Sequence, residues 1–140
     1  MITKNKNQEN ERKANPFMGI LLFIISIILL VATGPIGIIY GFFYSLFTRS
    51  VSGIGEYFLE IAISIDQLGN VMMQHFLNLI WIRKNGYKFG NRDETISSVI
   101  GKNLKSDTLT GFGKLLNRVL NSLDPNHSLN SIDYFIEPKP

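Results

Sequence analysis

The sequence predicts an all-α protein: an N-terminal transmembrane helix, then a long amphipathic helix, then a small bundle of short helices. Three observations predict this. Residues 17–47 form an unbroken apolar run with no charged side chain. Residues 55–82 sort polar and apolar side chains onto opposite helical faces. Residues 93–133 carry a succession of helix start signals separated by glycine and proline. The chain of 140 residues has room for one small domain plus an anchor. It divides into a polar N-terminal tail (1–16), the transmembrane segment (17–47), a small helical domain (52–133) and an extended tail (134–140). There is no cysteine, which excludes disulfide frameworks and thiolate metal sites. The net charge of +3 is mild.

The apolar run is long enough to cross a bilayer, which takes about 20 residues. A cleaved signal peptide would have an apolar region of only about 7 to 15 residues and would end at small residues. Here bulky aromatics follow Gly37. Gly34, Pro35, Ile36 and Gly37 sit in the middle of the run. They fit a kink in one long helix or the turn of a shallow hairpin. Two full crossings would need about 40 residues, which favours a single one. Lys4, Lys6, Arg12 and Lys13 precede the run, and only Arg49 follows closely. The positive-inside rule therefore places the N-terminus in the cytoplasm. Tyr40 and Tyr44 suit an interfacial belt on the far side.

In the second helix, Glu56, Glu60, Gln67, Asn70, Gln74 and Asn78 share one face. Phe58, Ile61, Ile65, Leu68, Met72, Phe76 and Leu79 share the other. The apolar face is expected to pack on the C-terminal helices or to lie against the membrane surface. Glu60 and Asp66 oppose a second crossing, at about 2.5–3.5 kcal/mol for a charge such as Asp at the centre of a span. Trp81, Arg83 and Lys84 resemble the end of a span and keep that option open. His75, at the edge of the apolar face, reads as a hydrogen-bonded boundary residue.

Residues 85–92 read as a loop with Tyr87 and Phe89 as hydrophobic plugs. Asp93 is the expected N-cap of a short helix over 94–100, with Glu94 at the positive end of its dipole and Gly101 as its stop. Ser97 and Ser98 are poor helix formers that could bond neighbouring carbonyls or a partner. A second helix is expected from Asp107 or Thr108 to Leu123, capped by Ser106 or Asp107. Its apolar stripe would be Leu109, Phe112, Leu116, Val119 and Leu120. Asp124 as N-cap and Pro125 as first helical residue predict a third short helix.

Few chemistries fit. There is no Walker A, GxGxxG, GxSxG or HExxH pattern. A metal site could be drawn from His127 with Asp93, Glu94 or Asp124, but no spacing requires it. Basic and acidic residues are interleaved, against a nucleic-acid face. No cofactor and no catalytic residue are assigned.

Three motifs, IDQLGN (65–70), FGNRDETISSVIGKN (89–103) and LDPNH (123–127), occur in an order that resembles a group of small proteins of bacteria and tailed phages. These share an Asp-Gln-Leu-x-Asn helix, an Asp-Glu-Thr-[Ile/Leu]-Ser-Ser segment and a late Asp-x-x-His. The resemblance covers about residues 56–132. Some members end the last motif His-Cys, where this chain has Ser128, and some lack the anchor. The group brings no established activity, so the resemblance implies an architecture: a soluble helical unit to which residues 1–50 are added. It also groups Asp66, Gln67, Asn70, Asp93, Glu94, Thr95, Ser97, Ser98 and His127 as a candidate polar network that locks the bundle or forms a ligand site.

The expected role is a membrane-anchored module of a bacterial or phage envelope, with the lipid bilayer and a second protein as partners. The polar stripe of residues 56–78 and the basic surface of the C-terminal helices would be its contact faces. A phage lysis or superinfection factor is a second reading. Gly37 and Gly41 form a GxxxG step that would allow self-association into a homo-oligomer. A membrane-tethered metal-dependent hydrolase is a third. The location expected from all of this is the bacterial cytoplasmic membrane.

Overall fold

A computed structural model describes residues 15–136. The chain is all-α, with five helices and no strand among the described residues. They are α1 (Pro16–Met72), α2 (Gln74–Ile80), α3 (Ile96–Lys105), α4 (Gly111–Leu123) and α5 (His127–Asn130). Two compact units divide after Ile54. The tail at residues 1–14 and the end at 137–140 lie outside the described residues.

The first unit is the apolar part of α1. Its side chains find no core: Phe17, Leu22, Ile28, Val31 and Ile36 are all exposed. Two hydroxyls in this stretch bond within the helix. Ser26 donates to the Leu22 carbonyl (2.8 Å) and Thr33 to the Leu29 carbonyl (2.7 Å). Neither hydroxyl is left seeking water. Helical backbone continues through Pro35, so neither a hairpin nor a break forms at 34–37. The one non-helical residue lies later, at Ser50 (φ 58°, ψ −151°). That region is occupied almost only by glycine.

The second unit starts at Gly55. The expected helix over 55–82 is present in two pieces, the end of α1 and then α2. Met73 interrupts it without ending it, since Met73 N bonds to the Gly69 carbonyl and Leu77 N to the Met73 carbonyl. The faces of this helix are the reverse of what a soluble bundle would need. Asn70 is fully buried and Asp66, Gln67 and Asn78 are half-buried, while Ile65, Leu68, Met72, Phe76 and Leu79 are exposed. The apolar stripe therefore does not pack on the C-terminal helices. His75 is exposed with it.

The core of this unit is small. Leu77, Ile82, Phe89, Val99, Ile100 and Leu109 are its buried apolar members. Trp81 packs edge-on against Phe89 (6.1 Å between centroids, 75°). Tyr87 is also packed against the core, so both expected plugs of the 85–92 loop point inward. An isolated antiparallel bridge pairs Ile82 with Leu109 and ties the end of α2 to the start of α4.

α3 is longer than expected and is capped differently. Its N-cap is Thr95, whose hydroxyl accepts from Ser98 N (3.1 Å), and it runs on through Gly101 to Lys105. Gly101 is not a stop but a contact: a Cβ there would collide with the Ser128 carbonyl of α5. α4 starts at Gly111 with Thr110 as cap, not at Asp107 or Thr108. The reason is Asp107, whose left-handed φ of 50° keeps residues 106–110 out of the helix. Leu116 and Leu120 face the core, but Phe112 and Val119 are exposed, and Leu109 lies ahead of the helix. α5 begins at His127, because Asn126 is left-handed (φ 62°). Asp124, Pro125 and Asn126 make a turn closed by His127 N on the Asp124 carbonyl (3.0 Å), and neither Asp124 nor Pro125 starts the helix. Residues 134–136 fold back onto α3 and are not extended, with Lys102 Nζ donating to the Ile136 carbonyl (3.3 Å).

Candidate functional site

The polar interior of the second unit is built from the N-terminus of α3. Helix starts leave backbone N–H groups without intrahelical partners. Here a carboxylate from another helix supplies the acceptors. Asp66 Oδ1 accepts from Ile96 N (3.2 Å), and Oδ2 accepts from Ser97 N (3.4 Å) and Ser97 Oγ (3.0 Å). The negative charge also sits where the α3 dipole is positive. One side chain thereby fixes α3 against α1 and gives Ser97 its partner.

Glu94 lies beside this cap with its side chain wholly shielded from solvent. Its carboxylate has three donors. Oε1 accepts from Ser98 Oγ (2.6 Å) and pairs with Lys102 Nζ (2.6 Å); Oε2 accepts from the Tyr87 hydroxyl (2.9 Å). Lys102 also reaches the Tyr87 hydroxyl (3.2 Å) and lies over its ring (4.4 Å). Ser98 in turn accepts from Asp133 N (3.0 Å), which ties the segment after α5 to the network. Burial, then the hydrogen bond and charge of Glu94, and then the charge of Asp133 push the Tyr87 phenol well above its ordinary value. An ion pair buried in this way needs every remaining lone pair satisfied, and Ser98 and Tyr87 do that here.

Three asparagines hold the 87–94 loop by its backbone. A carboxamide has the same donor and acceptor as a peptide group, so one side chain can substitute for a neighbouring strand. Asn78 gives to the Phe89 carbonyl (3.1 Å) and accepts from Phe89 N (2.8 Å). Asn103 does the same with the Tyr87 carbonyl (2.8 Å) and Tyr87 N (2.8 Å). Asn70 accepts from Gly90 N (2.9 Å) and gives to the Asn91 (3.0 Å) and Glu94 (2.7 Å) carbonyls. Gln67 adds a bond to the Asp93 carbonyl (3.3 Å). From Asp66 to Asn78 the polar stripe is thus hydrogen-bonded inside the chain, with Asp66 and Gln67 still part-exposed.

A groove of about 410 Å³ opens over the start of α3. Asp66, Gln67, Asp93, Glu94, Thr95, Ser97 and His127 line it, with Leu59, Ala62 and Ile63 as an apolar wall. Of the nine residues grouped from the sequence, only Asn70 and Ser98 do not line it; both are buried behind it in the hydrogen bonds above. Their roles differ. Asp93 is exposed and caps nothing. Thr95 is the cap. His127 places Nδ1 3.0 Å from Asp124 Oδ2, at the groove's rim and away from the Glu94 cluster. No group of three or more metal-ligating side chains converges among the described residues.

Sequence reasoning missed Tyr87, Lys102, Asn78 and Asn103 as network members. One signal was available: Glu94, Ser98 and Lys102 are spaced four apart and so share a helical face. Comparison of the chain with family models, curated proteins and solved structures finds no match.

Proposed function

We propose that the chain is a membrane-anchored helical module of a bacterial or phage envelope that presents the α3 groove to another protein. The observation that carries this reading is the apolar half of α1. Residues 17–47 hold no charged side chain, and none of the most apolar stretch of the helix is buried. A core helix of a soluble protein would have that surface covered. The basic N-terminal tail favours a cytoplasmic N-terminus and a second unit on the far side of the cytoplasmic membrane. The groove suits a protein contact better than chemistry. Glu94 is its best-buried acid, but Ser98, Lys102 and Tyr87 already engage both of its oxygens, so it is not the free acid or base that the hydrolase reading would draw on.

Expression of the full chain with a C-terminal tag tests the reading. The tagged chain is expected to stay in the membrane pellet after alkaline carbonate extraction. Protease added to intact spheroplasts should remove the tag. A photocrosslinker at Ser131, on the groove, should give a discrete heavier band that one at Lys105 does not. Release by carbonate would sink the anchor. A protected tag would reverse the topology, and identical crosslinking from both positions would remove the groove from the contact.

A further inference from the structure

We infer that the outward apolar face of residues 65–79 beds into the surface of an anionic lipid bilayer, so that the second unit lies on the membrane and does not hang from it. This rests on the anchored reading above and goes beyond it. The orientation of the helix is fixed from inside. Asp66, Asn70 and Asn78 are all committed to α3 and the 87–94 loop, so the helix cannot roll its apolar side inward. That leaves Ile65 (62% exposed), Leu68 (52%), Met72 (67%), Phe76 (58%) and Leu79 (79%) as one stripe facing away from the domain.

Two observations say what covers the stripe. The first is proximity. The uncharged segment 17–47 ends 18 residues before Ile65 in the same chain, so a bilayer holding that segment is tethered to the stripe. A second copy or another protein would have to be recruited. The second is charge. The segment that follows the stripe bears Arg83, Lys84 and Lys88, all exposed, with no acid between them. A basic rim at the end of an apolar helical face matches anionic headgroups. The helix does not cross. Its inner face is hydrogen-bonded to an irregular loop, and non-helical backbone is not stable at lipid depth unless protein or water covers it.

The absence of cysteine allows the test in the full chain. Single cysteines at Leu68, Phe76, Ile28 and Lys105 are labelled with an environment-sensitive fluorophore. The protein is reconstituted into phosphatidylcholine vesicles with and without phosphatidylglycerol. Each of these positions is exposed, so the labels leave the packing intact. With phosphatidylglycerol, the probes at Leu68 and Phe76 are expected to shift to the blue and to be quenched by nitroxide lipids. Lys105 should show neither effect. Replacing Arg83, Lys84 and Lys88 with Gln should reverse part of the shift at Phe76. Water-like emission at Leu68 and Phe76, with Ile28 still lipid-quenched, would overturn the inference and leave the anchor standing. Water-like emission at Ile28 as well would overturn both. Blue-shifted but unquenched probes at Leu68 and Phe76 would mean that protein covers the face, and would also overturn it.

Discussion

The two units of this chain invert each other. In the first, large aliphatic side chains lie outside and the hydroxyls of Ser26 and Thr33 turn back onto their own helix. In the second, the buried set contains more polar than apolar residues: Asn70, Glu94, Ser97, Ser98, Asn103, Thr108, Asn117 and Ser128 against six hydrophobic ones. The difference shows what holds each together. The apolar helix relies on a surrounding medium that covers it. The bundle has little apolar interior of its own and relies on directed hydrogen bonds around Glu94 and the 87–94 loop, whereas Asn117 Oδ1 and Ser128 Oγ are buried without a partner. Each buried donor left without an acceptor costs about 1–3 kcal/mol, so such an interior tolerates few gaps.

The contrast is broken most severely at Glu94. Glu94→Ala strands Lys102 in a nearly closed site and removes the acceptor of Ser98 and Tyr87. The expected loss is about 3–5 kcal/mol, a large part of the stability of a small domain. Urea unfolding of the detergent-solubilised chain measures it. The pair replacement Glu94→Leu with Lys102→Met should recover much of that loss, since it strands no charge. An undiminished midpoint in the single variant would mean that the network contributes little.

A smaller effect comes from Tyr87. Its phenol titrates above the ordinary value of 10.0, so the folded state favours the neutral form. Below about pH 10 this costs nothing. As the pH rises from there towards the folded value, the unfolded chain loses the proton first and stability falls. The slope is at most about 1 kcal/mol per pH unit, below the ideal ~1.4, because the side chain is only part-buried and solvent screens it. Unfolding followed between neutral and alkaline pH should show this loss in the parent and less of it in Tyr87→Phe, which starts from a lower neutral-pH stability. Parallel curves would contradict the burial of the hydroxyl against Glu94.

The smallest effect sharpens the comparison from the other side. Leu79 is 79% exposed. In detergent, Leu79→Gln should change the unfolding free energy by no more than about 0.5 kcal/mol. A loss above about 2 kcal/mol would place Leu79 in a core, and the two units would no longer be opposites.

Sequence patterning made the helices legible and left their sidedness open. The 17–47 run is read from length and absence of charge, and the structure keeps it helical through Pro35. The stripes of residues 56–79 were legible as stripes. Helical spacing separates two faces but does not say which one is inside, and in ordinary soluble domains the apolar one is. Here Asn70 and Asn78 decide it, through partners that lie 11 to 24 residues away. Helix ends missed for a local reason: the left-handed backbone at Asp107 and Asn126 postponed α4 and α5 past the residues that best resemble caps. Thr95 outcompeted Asp93 because Asp66 was already seated over the first turn of α3. Tyr87 and Lys102 look like a plug and a surface cation until Glu94 is known to be buried between them.

The amide ladder also bears on how fast the bundle forms. The bonds from Asn70, Asn78 and Asn103 to the 87–94 loop join residues 11 to 24 apart, and the Asp133–Ser98 bond joins residues 35 apart. Loop-closure entropy grows only slowly with such separations, and proteins rich in near-neighbour contacts fold quickly. A chain with one greasy flank uncovered gains from that speed. The shorter the interval in which its peptide groups and its apolar stripe are both unsatisfied, the smaller the chance of aggregation before the domain closes.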